Sequence, residues 1–225
     1  MPTSNRIILT DVDGVLLEWE QHFSDWMLQR SYYNDKGKKI YPYTLLDGKE
    51  NTYEMAERFG LTIPQIRKEI REFNKSAWMA TQSPMPDSQT WVKLLHAEGW
   101  TLIPITSQTS DIPAQEVRKK RLTELFGDIF YNYHILDTGQ DKDSVLAEFH
   151  NTGLYFVEDK PKNALAGLNF GLKPILIDHL YNRDFKHPDV IRVNNWKQIH
   201  EISVSYTHLR AHETEADLVC RLLLE

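Results

Sequence analysis

The chain has 225 residues, of which 41% are hydrophobic, and a formal net charge of -6 at pH 7. This length and apolar content can bury a core, either in one large domain or in one domain that carries an insert. The negative charge argues against broad binding of nucleic acids or anionic membranes, because both favour a basic surface. No apolar run reaches the roughly 20 residues that span a bilayer, and the first residues lack the apolar region of a signal peptide. We therefore expect a cytoplasmic protein.

The first predicted element is a buried strand that ends in two carboxylates. The apolar run Ile7–Leu9 leads to Asp11 and Asp13. Because side chains alternate along an extended chain, both carboxylates point to the same side, where their repulsion calls for a cation or a proton between them. A calcium loop of the EF-hand type is excluded, since Val15 and Leu16 stand where it needs a further ligand and a glycine. The pair indicates a site of chemistry.

Residues 17–83 are rich in aromatic side chains and are predicted to form an all-helical insert after the first strand. Apolar residues recur at helical spacing over 18–30, and two short helices are predicted over 52–59 and 64–73, on either side of Gly60. Most of the aromatic side chains are expected to form a small core of the insert itself.

The two short helices superficially resemble a helix-turn-helix, so nucleic-acid binding through 52–73 is an alternative function. Basic residues between Asn51 and Lys75 are almost balanced by acidic ones. A recognition helix is ordinarily clearly basic, and the local charge therefore argues against this alternative.

From residue 84 onward, predicted strands alternate with predicted helices. The apolar segments that we assign to strands are 101–105, 129–136, 154–157 and 174–177, and the helices begin near residues 86, 113, 142 and 161. Such alternation is typical of a parallel sheet. The predicted fold class is α/β, with a Rossmann-like parallel sheet formed by 1–16 and 84–203 and the insert placed after its first strand.

Polar residues follow three of the predicted strands where these strands end. They are Asp11 and Asp13, Thr106 and Ser107, and Glu158 and Asp159. Strand ends of one polarity lie along one edge of a parallel sheet, where ligands bind, so we expect these side chains to lie together. Lys142 begins the helix before the last of these strands and is expected at the same edge. Taken alone, Thr106 also fits a helix cap.

This combination resembles the haloacid dehalogenase-like hydrolase superfamily. Its first motif, an apolar strand followed by Asp-x-Asp-Gly, matches Ile7–Gly14, and its second, a strand ending in threonine, matches 102–106. Its third, a lone lysine, fits Lys142, and its fourth, a strand ending in two acids, fits 155–159. The resemblance covers about 1–16 and 84–180.

Two positions depart from the superfamily pattern. The first acid of the final pair is Glu158, where aspartate is commoner. Lys142 is assigned to the third motif by its spacing, and Lys160 and Lys162 compete for that role.

The resemblance implies a Mg²⁺-dependent phosphatase. Asp11 would attack the phosphoryl group and form an aspartyl-phosphate. Mg²⁺ would be bound by Asp11, by the backbone carbonyl of Asp13 and by Asp159, with Glu158 holding a metal-bound water behind them. The Asp13 side chain would protonate the leaving oxygen and then deprotonate the attacking water.

The remaining motif residues would handle the phosphoryl group itself. Thr106 and the backbone amide of Ser107 would bind its oxygens, and Gly14 is assigned to the same substrate-binding group. Lys142 would neutralise the charge of these oxygens. Dehalogenases of the superfamily lack the second aspartate, so Asp13 favours phosphate chemistry over the cleavage of a carbon–halogen bond.

The insert corresponds to a helical cap of the superfamily's first type, which closes over the site and selects the substrate. Phe23 and Tyr43 are our candidates for substrate contacts in it. The edges of the motifs, Asp13–Leu16 and 106–107, look most like those of 5'(3')-deoxyribonucleotidases. The expected substrate is thus a small phosphorylated metabolite, with a nucleoside monophosphate as one candidate. A phosphate-binding protein without turnover is a further alternative, to which Glu158 draws attention.

The last part of the chain resembles a translated sequencing adapter. This resemblance covers 204–225, which includes Cys220, the one cysteine of the chain. We predict a non-native tail there and exclude it from fold reasoning. A genuine amphipathic helix is the alternative.

Overall fold

A computed structural model describes residues 6–50 and 52–205 of the chain. The strands are β1 (Ile7–Thr10), β2 (Tyr32–Tyr33), β3 (Lys39–Ile40), β4 (Thr101–Ser107), β5 (His134–Leu136), β6 (Tyr155–Glu158), β7 (Lys173–Ile177) and β8 (Ile191–Val193). The α-helices are α1 (Trp19–Gln29), α2 (Met55–Phe59), α3 (Ile63–Asn74), α4 (Ser88–Ala97), α5 (Ile112–Phe126), α6 (Asp143–Leu146) and α7 (Pro161–Asn169). Within the two described ranges, no helix is both long enough and apolar enough to cross a membrane.

Six strands form one parallel sheet in the order β5-β4-β1-β6-β7-β8. The first strand lies in the middle, with Leu9 beside Ile103 of β4 on one flank and Phe156 of β6 on the other. Parallel pairing requires long crossover connections between successive strands, and all of them except the one between β7 and β8 contain an α-helix. The predicted α/β class with a Rossmann-like parallel sheet is confirmed.

Both faces of the sheet are covered. Ile8 packs with Leu102 and Val157 in one apolar cluster, whereas Leu9 packs with Ile103 in a second cluster on the opposite face. Because neither face meets water, the strands are apolar at successive positions instead of alternating between apolar and polar residues. The core strands therefore supply a rigid base from which their polar C-terminal ends project.

The insert has an apolar core of its own, formed by α1, α2 and α3. The ring of Phe23 packs edge to face against Phe73 and Phe59, with ring centroids 5.4 and 6.2 Å apart. Such aromatic pairs add to the stabilisation that burial of their area provides. The aromatic residues of the insert thus serve mainly its own packing.

The prediction that the insert is all-helical is wrong between α1 and α2. Strands β2 and β3 pair antiparallel there, with Tyr32 opposite Ile40. Asn34 organises the turn between them, because its side-chain oxygen accepts hydrogen bonds from the amides of Lys36 and Lys38. Gly37 supplies the positive φ of 67° that a side chain would disfavour. Local turn chemistry, and not apolar periodicity, decides this segment.

The backbone over 196–205 is helical and returns to the sheet. Trp196 is buried in the apolar cluster that contains Ile8, and its indole nitrogen donates to the carbonyl of Val15, 2.8 Å away. The predicted non-native tail lies outside the described residues from 206 onward.

Candidate active site

The ends of β1, β4 and β6 meet at one edge of the sheet. Asp11 directly follows β1, and its amide donates to the carbonyl of Val157, 2.8 Å away. This bond continues the pairing of the two strands and places Asp11 beside the end of β6, whose last residue is Glu158 and which Asp159 follows. The strand register therefore brings together acids that are far apart in the sequence.

Three buried carboxylates form a cluster at this edge. One oxygen each from Asp11, Glu158 and Asp159 lies within 4.8 Å of the others. The ammonium group of Lys142 lies between two of them, 2.9 Å from Asp11 Oδ1 and 2.6 Å from Glu158 Oε1. Of the three candidate lysines, Lys142 is thus in contact with two acids of the cluster, whereas Lys162 is exposed.

Burial governs the protonation of this cluster. It raises the pKa of the Glu158 carboxyl to about 8, against the opposing effect of Lys142. It likewise raises the pKa of Asp159 to about 6, against the opposing effect of Lys160. Burial alone would lower the pKa of Lys142, but Asp11 and Glu158 outweigh it, and the pKa is raised. The carboxylates are therefore short of positive charge, which an added cation would supply.

Among the described residues, the hydrogen bonds of the cluster leave a buried oxygen of Asp159 without a partner. Glu158 accepts from Lys142 and Asn163 at Oε1, and from the amides of Asp159 and Lys160 at Oε2. Asp159 accepts at Oδ2 from the hydroxyl of Tyr181, 2.5 Å away, while its buried Oδ1 has no hydrogen-bond partner in the part of the chain that the structure describes. Hard divalent cations prefer carboxylate oxygens of this kind. The donor set fits a divalent cation held by Asp11 and Asp159.

Asp13 is held apart from this cluster by an ion pair that the sequence did not indicate. The guanidinium of Arg118 donates to both of its carboxylate oxygens, over 2.5 and 3.3 Å. Arg118 is 0% exposed, although basic residues 118–121 suggest a solvated face of helix α5. Its neighbours one turn away, Ala114 and Leu122, are buried too, and this spacing is the signal that could have identified Arg118.

The end of β4 contributes two hydroxyl groups. Thr106 is buried, and its Oγ1 has no hydrogen-bond partner among the described residues. Ser107 donates from its hydroxyl to the carbonyl of Gln140, 2.7 Å away. Both residues line the same cavity as Asp11. The free hydroxyl of Thr106 is suited to bind an oxygen of a ligand.

A cavity of about 550 Å³ lies between this edge of the sheet and the insert. The predicted site residues that line it are Asp11, Asp13, Gly14, Thr106, Ser107, Lys142 and Asp159. Glu158 lies behind them, fully buried. The structure therefore gathers the predicted residues of the core around one space, which is large enough for a small organic ligand.

The two substrate contacts predicted in the insert do not face this cavity. Phe23 has no exposed surface and stacks on Trp19, with ring centroids 4.9 Å apart. Tyr43 donates its hydroxyl to Glu69, 2.9 Å away. The insert instead contributes aromatic surface through Trp19 and Tyr53. Helical periodicity marks the apolar face of α1, but it does not reveal which end of that face meets the cavity.

No family model and no curated protein matches the sequence. Solved structures do match it. A haloacid dehalogenase-like family hydrolase from Streptococcus pneumoniae is 14% identical with a TM-score of 0.60, and the match covers 90% of this chain and 98% of that one. CbbY from Rhodobacter sphaeroides, in complex with phosphate, is 16% identical with a TM-score of 0.54, over 85% and 94% of the two chains. D,D-heptose 1,7-bisphosphate phosphatase from B. bronchiseptica, complexed with magnesium and phosphate, is 12% identical with a TM-score of 0.52, over 89% and 99%. The chain has the haloacid dehalogenase-like fold.

The resemblance drawn from four short motifs is therefore confirmed for the fold. In this haloacid dehalogenase-like fold, the loop after β7 contributes residues that the motifs did not include. The hydroxyl of Tyr181 donates to Asp159, and the ring of His179 stacks on the ring of Tyr181, with centroids 5.0 Å apart. His179 also lies 2.7 Å from the carbonyl of Gly14. Both residues follow a strand that ends at the same edge, and their position after β7 is the signal that could have found them.

The backbone at Gly14 passes unusually close to Asp159. Gly14 has a φ of +76°, and a Cβ built on it would lie 2.5 Å from Asp159 Oδ2. That oxygen cannot move freely, because Tyr181 holds it. Glycine is therefore required at this position for two separate reasons.

We expect Gly14→Ala to lower the free energy of unfolding more than Gly48→Ala does, and to weaken Mg²⁺ binding. Gly48 has a similar φ of +74° but no atom within 4 Å of an added Cβ, so it carries only the backbone cost of about 1–2 kcal/mol. Denaturant unfolding and Mg²⁺-dependent thermal shifts of both variants measure the difference. If both variants lost the same free energy of unfolding and Mg²⁺ binding were unchanged, the close approach to Asp159 would not be the reason why residue 14 must be glycine.

Proposed function

We propose that the protein is a Mg²⁺-dependent phosphomonoesterase that acts on a small phosphorylated metabolite through an aspartyl-phosphate at Asp11. The observation that carries this proposal is the buried cluster of Asp11, Glu158 and Asp159, bridged by Lys142 and opening onto the cavity. Such a cluster is costly for folding alone, because the carboxylates repel one another and are desolvated. The similarity to phosphatases of the same fold supports the same activity.

Asp11 is suited to act as the nucleophile. Its Oδ1 is fixed by the amide of Val12 at 2.7 Å and by Lys142 at 2.9 Å. Asp11 lines the cavity, so its other oxygen can attack phosphorus while the bond to the leaving oxygen breaks. This attack divides one difficult hydrolysis into two easier steps.

Asp11, Asp159 and the backbone carbonyl of Asp13 would hold Mg²⁺, with Glu158 behind them. When bound, the cation supplies positive charge between the attacking carboxylate and the phosphoryl oxygens. Glu158, through its contacts with Lys142 and Asn163, would keep the neighbouring groups oriented.

The remaining residues would bind the phosphoryl group and move protons. The unpartnered hydroxyl of Thr106 and the amide of Ser107 would donate to phosphoryl oxygens, and Lys142 would balance their charge. Asp13 would protonate the leaving oxygen and then deprotonate water. Arg118 fixes the carboxylate of Asp13 at the cavity wall.

A nucleoside monophosphate is a narrower candidate substrate. Trp19 and Tyr53 line the cavity, and an aromatic ring can stack on a base.

Two alternative functions stay open. One is a phosphate-binding protein without turnover, and the other is nucleic-acid binding through 52–73, although α3 of that segment lines the cavity. The cytoplasmic location stays a prediction.

The test is hydrolysis of an aryl phosphate by the full chain with and without Mg²⁺. We expect turnover with Mg²⁺, a loss of at least about 100-fold on chelation, and recovery when Mg²⁺ is restored, because the cation contributes several kcal/mol to the transition state. A panel of nucleoside monophosphates and sugar phosphates then ranks the substrates. Binding of phosphate with Mg²⁺ but without turnover of any ester would contradict the proposal and favour the silent alternative.

A further inference from the structure

Two arginines of the insert line the same cavity as Asp11 and Asp159. Arg67 and Arg71 lie one turn apart on helix α3, and both are exposed and border the cavity. Among the described residues, neither forms an ion pair or a side-chain hydrogen bond. The pKa of Asp137 is lowered mainly by hydrogen bonds from the amides of Thr138 and Ser110, and Arg71 lowers it further through space. Two guanidinium groups therefore face the cavity without a partner in contact.

The last residue of helix α3 is anchored close to the expected phosphoryl site. At its last residue, Asn74 Nδ2 donates to the carbonyl of Gln108, 2.7 Å away, and Gln108 follows the end of β4. With a rise of 1.5 Å per residue, Arg71 lies about 4.5 Å and Arg67 about 10 Å from Asn74 along the helix axis. The arginines thus lie back along α3 from its anchored end, and they line the same cavity.

The charges on this wall are not balanced by the insert's own acids. Glu20 lines the cavity, but it pairs with Arg58 at 3.2 Å. Glu54 is the other acid of the insert on the wall, so the two arginines leave it positive. Helix α3 also contributes apolar surface to the cavity through Ile66 and Ile70.

The phosphoryl site does not need these arginines to balance its own charge, because Lys142 and a bound cation would act there. We propose that Arg67 and Arg71 bind a second anionic group of the substrate. The substrate class is then a small molecule with a phosphate monoester at one end and a phosphate or carboxylate at the other. This inference rests on the proposed phosphatase function and narrows its substrate class. It disfavours a nucleoside monophosphate as the substrate, because that molecule has no second anionic group. Guanidinium groups suit both anions, because they donate two parallel hydrogen bonds.

Three probe substrates of equal chain length test the proposal: pentyl phosphate, 5-(phosphonooxy)pentanoate and pentane-1,5-diol bisphosphate. We expect kcat/KM with Mg²⁺ to be about 10- to 100-fold higher for at least one of the doubly anionic esters than for pentyl phosphate, as charge-assisted hydrogen bonds imply. The comparison of the two doubly anionic esters tells phosphate from carboxylate. Equal or lower kcat/KM for both would overturn the proposal while leaving the phosphatase function intact.

The variants Arg67→Ala and Arg71→Ala, singly and together, test whether these arginines cause the higher kcat/KM for doubly anionic esters. We expect the double variant to bring the ratio of kcat/KM between doubly and singly anionic esters close to one. Lys68→Ala is the matched control, because Lys68 is an exposed cation of the same helix that does not line the cavity, and it should keep the parental ratio. An unchanged ratio in the double variant would overturn the assignment. If the protein hydrolyses none of the three esters or any other phosphate ester, the proposed function fails, and this inference fails with it.

Discussion

Replacement of Asp11 by Asn is expected to lower kcat for an aryl phosphate by roughly 10⁴- to 10⁶-fold, the range seen when a hydrolase loses its nucleophile. An amide oxygen is a far weaker nucleophile than a carboxylate, and it cannot form the covalent intermediate. The amide also lacks the charge that would hold Mg²⁺. Steady-state kinetics with saturating Mg²⁺ measures the loss, and the mass of acid-quenched protein during turnover shows whether one phosphoryl group is bound to the parent and none to the variant.

The variant should remain folded, which makes its kinetics interpretable. Asn has the shape of Asp and can still accept the hydrogen bond from the amide of Val12. Lys142 loses one anionic partner but keeps Glu158, 2.6 Å away. Asp35→Asn, in the exposed turn between β2 and β3, is the matched control and should retain parental kcat. An active Asp11→Asn variant would contradict the proposed mechanism at its first step.

The parts of the site that lie at strand ends could be predicted from the sequence, because parallel pairing makes them converge. Once β1, β4 and β6 are recognised as neighbouring buried strands, their register carries Asp11, Thr106 and Glu158 to one edge. No knowledge of side-chain packing is needed for that step. The same reasoning supplies the fold class, since strands that alternate with helices rarely form anything other than a parallel sheet.

Contacts that depend on packing could not be predicted in this way. The ion pair of Asp13 with Arg118 joins residues on different elements. The spacing of Arg118 from Ala114 and Leu122 separates it from the solvated Lys120, but that spacing does not reveal that Asp13 is the partner. The prediction that Phe23 contacts the substrate is wrong because it too depended on packing. Helix α1 buries that ring under Trp19, and Trp19 itself reaches the cavity.

Short irregular segments could not be predicted from the sequence for another reason. The loop that carries Tyr181 and the edge strand β8 have no extended periodic pattern that a sequence could display.

Lys142 contributes both to the stability of the fold and to the proposed chemistry, so its replacement by Met should lower both the free energy of unfolding and kcat. The side chain of Lys142 is only 3% exposed, and its ammonium group lies between Asp11 and Glu158. Met preserves much of the length and apolar volume of the side chain but leaves the carboxylates without their partner. Removal of one member of a buried ion pair costs about 3–5 kcal/mol, which corresponds to a fall in Tm of roughly 6–20 °C for a domain of this size. We expect kcat to fall as well, by about 10²- to 10³-fold, as when one preorganised electrostatic donor is lost.

Added Mg²⁺ distinguishes the stabilising role of Lys142 from its proposed role in catalysis. A cation that binds the folded state alone raises its stability, and Mg²⁺ would be held by Asp11, one of the two carboxylates that Lys142→Met leaves unpaired. Thermal unfolding should therefore show that saturating Mg²⁺ raises the Tm of the variant more than that of the parent, while kcat stays low because the charge facing the phosphoryl oxygens is still missing. Lys162→Met is the comparison, since Lys162 is exposed and its loss should change the free energy of unfolding by no more than about 0.5 kcal/mol. A Lys142→Met variant with parental stability and parental kcat would mean that the buried acids are neutralised by another group, and that the catalytic lysine must be sought at Lys160 or Lys162.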